Sequence, residues 1–176
     1  MSRTRKVVQS ALIAALYAAL TLAIPVLSFN ILQFRIGESL TILPVYTGTA
    51  IPGLTLGCIL SNLIGFFTQA NPIGWLDAIV GSFATLIASI LTYYIGKSKK
   101  QWIRYGLSPL PPVLINAVII GLELTFVFSD ISNIPVLLTN VGSVLIGQAV
   151  ICYGLGLPLM LFIDKNKAVK NMLASK

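Results

Sequence analysis

The sequence predicts an all-α integral membrane protein, a bundle of six transmembrane helices forming one domain over residues 1–176. Three observations carry the membrane assignment. Hydrophobic residues make up 56% of the chain, against the roughly 45–50% usual in soluble domains, and the mean hydropathy is +0.91. Charged residues are 10%, where roughly 25% is ordinary, which is too few to cover a water-soluble surface. The same figures exclude intrinsic disorder, which needs low hydrophobicity and high charge. The apolar runs also recur at a length suited to spans of about 20 residues, and 176 residues hold about six of these with their connections.

The expected helices cover residues 7–27, 38–50, 52–68, 75–96, 109–128 and 135–163. Arg3, Arg5 and Lys6 precede the first. Its apolar run is longer than a signal-peptide core and lacks a small-residue cleavage site, so it is expected to be retained. The segment 28–37 carries Arg35 and should lie at an interface. The second helix is short for a crossing, and Gly48, Pro52 and Gly53 mark a tight turn into the third. Asn71, Pro72 and Gly74 break the chain before the fourth. Pro109, Pro111 and Pro112 suit the first turn of the fifth, where a missing N–H costs nothing. A turn at 130–135 leads to the sixth.

The net charge of +7 is read as membrane orientation, not as a nucleic-acid footprint. Basic residues cluster at positions 3–6, at 97–104 and at 165–176. Six spans put all three clusters on the cytoplasmic side, with both termini inside. The inner side then carries eleven basic residues and Asp164, net +10, and the outer side carries Arg35, Glu38, Asp77, Glu123 and Asp130, net −3. The four outer acids are expected to line one polar pocket, because charge near hydrocarbon is expensive and tends to be functional.

The sequence holds no His, which removes most zinc chemistry and every Ser-His or Cys-His nucleophile, so neither an enzyme, a metal nor a cofactor is expected. Cys58 and Cys152 lie in apolar runs and are expected to be core-facing thiols. The string GKS at 96–98 lacks the earlier glycine and the strand of a phosphate loop, so no nucleotide-hydrolysing site is expected. Ala11, Ala15, Ala19 and Ala23 form a small-residue ridge suited either to this chain's own helices or to another membrane subunit. A second ridge, Gly53, Gly57, Ser61 and Gly65, is expected to pack internally.

Arg35 and Glu38 are spaced to pair with each other or to meet a ligand, and Asp77 is either a helix-dipole partner or a ligand contact. Glu123 lies deep in an apolar run with no basic residue near it in sequence, which points to a functional carboxylate, whereas Asp130 in its turn reads as solvated. Asn62, Asn116 and Gln148 suit either interhelical hydrogen bonds or ligand contact. Trp75 and Phe34 are either interfacial anchors or stacking platforms for a flat ligand.

The segment QFRIGESL at 33–40, followed by Leu43 and Pro44, resembles the QueT family, the substrate-binding (S) components of energy-coupling factor transporters assigned to queuosine precursors. The resemblance continues through Ala50, Ile51, Pro52 and Gly53, Leu56, Gly57 and Cys58, Asn62 and Leu63, and Leu76 and Asp77. It includes Gly81, Ser82, Ala84 and Thr85, then Pro111, Pro112, Asn116, Ala117, Gly121, Leu122 and Glu123, and finally Gly156, Leu157 and Pro158. Gln148 departs from the family pattern, which has Glu there, and so loses a charge while keeping hydrogen-bonding capacity.

The resemblance implies a substrate-capture subunit in a bacterial cell membrane. Its implied partners are a membrane coupling subunit, which meets the ridge of Ala11, Ala15 and Ala19, and two cytoplasmic ATPases. The implied ligand is a 7-deazaguanine base or a relative. One carboxylate, Glu123 or Glu38, could accept its adjacent N1–H and amino donors. Asn62, Asn116 or Gln148 could bond the ring, Trp75 or Phe34 could stack on it, and Asp77 could pair with an aminomethyl substituent. The competing expectations are an S component for another flat vitamin, riboflavin- or biotin-like, and a stand-alone proton- or cation-coupled transporter using Glu123.

Overall fold

Ser2 caps the first helix, its side chain accepting the Arg5 N–H at 3.3 Å in the computed structural model, which describes residues 2–29 and 33–174. This helix, α1 (Arg3–Leu22), stops earlier than expected. Pro25 excludes the residue before it from helical backbone, and Ile24 accordingly sits at φ −135°, ψ 80°. The remainder of the first apolar run forms a single turn, α2 (Pro25–Ser28). Residues 30–32 of the expected interfacial segment lie outside the described residues.

The second expected span is a ten-residue 3-10 helix, Ile36–Val45. At about 2 Å rise per residue it is roughly 20 Å long, short of a hydrocarbon core of about 30 Å. Pro44 lies inside it and lacks the N–H that a regular α-helix would use. Ser39 and Thr41 hydroxyls donate to the carbonyls of Ile36 and Glu38, three residues back, at 2.7 and 2.6 Å. Every residue from Gly37 to Pro44 is buried, and the segment packs against α1, α4 and a π turn defined below. It also reverses the path of the chain. Gly37 lies against Thr21 and Tyr17 near the end of α1, whereas Thr49 bonds Gln9 and Ser10 near its start.

The helices α3 (Ala50–Phe67) and α4 (Gly74–Gly96) start within two residues of their expected positions. The basic loop contains a helix the sequence did not suggest, α5 (Gln101–Leu107), and α6 (Leu110–Phe128) opens on the predicted prolines. The sixth expected span is α7 (Ile134–Ile151), a π turn (Cys152–Gly156) and α8 (Leu157–Lys165), with α9 (Lys167–Leu173) after it. Pro158 has no N–H for Gly154, four residues earlier, and its ring crowds that carbonyl, so the ladder widens there.

Among the described residues, five helical segments are long and apolar enough to cross a membrane: Arg3–Leu22, Ala50–Phe67, Gly74–Gly96, Gln101–Phe128 and Ile134–Lys165. Among the described residues there is no strand. The internal glycine ridge packs as expected. A Cβ at Gly53 would meet Ser10 and Ile13, and one at Gly57 would meet Tyr17 and Ala14, so α3 runs parallel to α1 at close approach. On α1 itself, Ala14 and Ala18 are buried while Ala11, Ala15, Ala19 and Ala23 face outward.

The three basic clusters meet at one end of the bundle. Gln9 Nε2 donates to the Leu173 carbonyl at 3.3 Å, joining the two ends of the chain. Asp164 accepts from Lys170 Nζ and Tyr105 OH at 2.7 Å, Tyr46 OH at 3.0 Å and Arg104 Nη2 at 3.3 Å. Lys97, from the GKS string, stacks its ammonium 4.2 Å from the Tyr93 ring centre. Lys176 lies outside the described residues.

Candidate functional site

Three of the four outer acids converge at the opposite end. Glu38 comes from the 3-10 helix, Asp77 from the first turn of α4 and Glu123 from the last third of α6, and all three are buried. Asp130 does not join them. It sits in the exposed turn before α7, where the Ser132 N–H donates to Oδ1 at 3.0 Å and holds the carboxyl below its ordinary range.

Arg35 pairs with Asp77 and not with Glu38, correcting the sequence-based pairing. Its Nη2 lies 2.8 Å from Asp77 Oδ2, both side chains being almost fully buried. The physical reason is local. Arg35 precedes the 3-10 helix in extended backbone, φ −77° and ψ 99°, so the three-residue helical spacing to Glu38 does not bring the two side chains together. The guanidinium also donates from Nε to the Ser28 carbonyl at 3.3 Å and stands 5.6 Å from the Phe29 ring centre.

Asp77 is further fixed by Asn71, whose Nδ2 donates to the same Oδ2 at 2.7 Å. Asn62 braces this corner, donating to the Asp77 backbone carbonyl at 3.2 Å and accepting from Asn71 Nδ2 at 3.4 Å. Glu38 is held separately, with Tyr17 OH donating to Oε1 at 2.6 Å and Asn116 beside the carboxyl. Gln148 is buried one turn from Cys152, whose thiol lies 3.7 Å from Gln148 Oε1 and 3.8 Å from the Glu38 carbonyl. Cys58 and Cys152 are both buried and unbridged, as expected. Among the described residues no cluster of His, Cys, Asp and Glu could hold a metal ion.

The arrangement leaves acceptors unsatisfied. Glu38 Oε2, Asp77 Oδ1, Asn116 Oδ1, Gln33 Oε1 and both oxygens of Glu123 are buried with no hydrogen-bond partner among the described residues. A buried acceptor without a donor costs about 1–3 kcal/mol, more when charged, so such a cluster suits a ligand that brings donors. Gly81 stands beside the cluster on α4. A Cβ there would lie 3.6 Å from Asn62 Nδ2 and Ile120 and 3.8 Å from Arg35 Nη1.

The aromatic candidates stand apart from this core. Phe34 is half-buried next to Arg35, while Trp75 is exposed in an open apolar groove between α3 and α4 with Ile59, Ile79 and Phe83. Sequence reasoning missed Tyr17, Asn71 and Gln33. Tyr17 lies among alanines that read as packing, and Asn71 lies beside Pro72 in a stretch that reads as a turn. Gln33 carries a weak signal, as the first residue of the QFRIGESL segment, and its backbone adopts φ 45°.

The comparisons with known proteins converge on one family. The model of the family described as QueT transporter matches residues 7–165. The Queuosine precursor transporter QueT of Lactococcus lactis subsp. cremoris (strain MG1363) is 34% identical over 88 residues, 49% of this chain and 48% of that protein, so the match spans about half the length of the relative. No solved structure matches the chain. Since the family match runs from the first turns of α1 to the end of α8 and takes in every acid of the buried cluster, the chain belongs to the QueT transporter family.

Proposed function

We propose that this protein is the substrate-capture subunit of an energy-coupling factor importer and binds a queuosine precursor, a 7-deazaguanine base or relative, in the buried polar cluster. The observation that carries this is the set of buried, unpartnered acceptors on Glu38, Asp77, Asn116 and Glu123. A guanine-like edge presents adjacent N1–H and amino donors, which Glu38 Oε2 and its neighbour Asn116 can accept. Asn62 beside Asp77 and the buried Gln148 offer further amides to the ring, Phe34 serves as the stacking surface, and Trp75 as an interfacial anchor. The relative's printed name, a queuosine precursor transporter, supports the ligand class.

In this reading the chain makes six membrane passes, the 3-10 helix acting as the short second one, with the basic end and both termini in the cytoplasm. The outward ridge of Ala11, Ala15 and Ala19 receives the membrane coupling subunit, and two ATPases on the cytoplasmic side drive release. The protein hydrolyses nothing itself. Mass spectrometry of the small molecule that co-purifies with it is expected to find a 7-deazaguanine, and a riboflavin- or biotin-like molecule in its place would overturn the ligand class. Uptake by cells is expected to stop when the ATPases are removed. Uptake that persists would favour the stand-alone carrier driven by Glu123.

A further inference from the structure

The GKS string at 96–98 is not a phosphate loop, yet its lysine stands at the edge of a groove. The groove lies between α1, α3 and the end of α4 at the basic end of the bundle, with a volume of about 590 Å³. Lys6 and Tyr93 form its mouth, and its wall continues along Ala11, Pro52 and Leu56. Lys97 reaches over the same tyrosine, its ammonium 4.2 Å from the Tyr93 ring centre and 5.0 Å from that of Tyr94. Two cations from elements far apart in sequence therefore meet at one opening.

Close packing fixes the walls. Gly96 lets the end of α4 close on the end of the 3-10 helix, since a Cβ there would lie 2.7 Å from Val45 Cα. Ser10 Oγ donates to the Thr49 carbonyl at 2.9 Å and Thr49 Oγ1 to Gln9 Oε1 at 2.8 Å. The hydroxyls at the groove are thus satisfied within the protein, but its charges are not. Asp164, the acid of this end, pairs with Arg104 and Lys170, and among the described residues neither Lys6 nor Lys97 has a carboxylate partner. Because α3 runs away from the basic end parallel to α1, Leu56 lies one turn, ~6 Å, further along the groove than Pro52. The groove is cationic at its mouth and apolar along its length, which is the pattern of a charged headgroup above a hydrocarbon chain. We propose that it seats an anionic phospholipid from the leaflet at the basic end, with the phosphate between Lys6 and Lys97 and the upper acyl chain on Ala11, Pro52 and Leu56. A zwitterionic lipid fits the apolar wall equally well but brings a cation of its own to a mouth that already holds two. The groove adjoins the outward alanine ridge at Ala11, so the lipid borders the proposed contact with the coupling subunit.

The test is titration of the purified full chain in detergent with phosphatidylglycerol and with phosphatidylcholine of the same acyl chains, bound lipid being counted by native mass spectrometry. The native protein is expected to prefer phosphatidylglycerol by roughly tenfold or more, as two lysines near one anionic headgroup supply. Replacing both, Lys6→Gln with Lys97→Gln, is expected to bring the preference within about a factor of two. Lys99→Gln with Lys100→Gln, which removes two exposed lysines that do not line the groove, is expected to retain it. Glycerol phosphate, which has the charge without the chains, is expected not to displace bound phosphatidylglycerol. Equal binding of the two lipids, or an equal loss of preference in both double variants, overturns the proposal. Displacement by glycerol phosphate overturns it too, by making this a site for a soluble anion. In cell membranes, a photo-reactive benzophenone on Leu56→Cys, the native thiols being buried, is expected to attach to phospholipid. Attachment to a protein chain would give the groove to another subunit and overturn the lipid.

Discussion

Asp77 shows how a single side chain organises the polar end of the bundle. One of its oxygens holds Arg35 and Asn71, and its backbone carbonyl receives Asn62, so α4, the approach to the 3-10 helix and α3 are tied at one point. Asp77→Asn keeps the shape but removes the counter-charge of a buried guanidinium. Breaking such a pair costs about 3–5 kcal/mol, and the nearby carboxylates of Glu38 and Glu123 place the expected loss near the lower end. Thermal unfolding in detergent should show a clear drop for Asp77→Asn and none for Glu123→Gln. The reverse order would mean that the ion pair is not what holds this corner. These acids were legible in the sequence because charge at membrane depth demands a reason. Their partners were not. A tyrosine hydroxyl and a loop asparagine carry no charge to mark them, and which carboxylate Arg35 reaches depends on backbone direction, which spacing does not encode.

At the scale of the element, α1 presents two small-residue faces, one turned inward and one outward. Its inner face meets Gly57, where a Cβ would lie 2.8 Å from Tyr17 Cβ and 2.9 Å from the Ala14 carbonyl. Gly57→Ala is therefore expected to push α1 and α3 apart and cost about 1–3 kcal/mol, read as a lower unfolding midpoint. Ala15 on the outer face is exposed, so Ala15→Leu should leave stability and ligand affinity unchanged, and on the proposed docking of a coupling subunit there it should abolish uptake by cells. Loss of affinity in Ala15→Leu would assign the outer ridge to the fold itself. The small-residue periodicity revealed the alanine ridge of α1 and the glycine ridge of α3, and the prolines and glycines gave the starts of α3, α4 and α6 closely. The 3-10 winding of Ile36–Val45 and the π turn at Cys152–Gly156 stayed hidden. Apolar composition reports burial, whereas these windings arise from Pro44 and Pro158 inside runs that otherwise read as continuous helix.

Across the whole molecule, charge is sorted by end. Asp164 ties Tyr46, Arg104, Tyr105 and Lys170 together where the basic clusters gather, and the acids of the cluster occupy the other end. Counting basic clusters predicted that both chain ends share a side, and the Gln9–Leu173 hydrogen bond brings them into contact. Cysteine labelling on intact cells checks the orientation. Both native thiols are buried, so a membrane-impermeant maleimide is expected to label Ser132→Cys from outside and Ser98→Cys only after the cells are opened. Labelling of Ser98→Cys in sealed cells would invert the topology.

The order in which the chain is made gives the short 3-10 helix a further consequence. It is made soon after α1, yet α4 and the π turn that enclose it are synthesised later. Until then its ten residues, with the acid Glu38 in the first turn, lack these two neighbours. Insertion therefore cannot proceed one settled helix at a time. The burial of the 3-10 helix is completed only when the last third of the chain has been made.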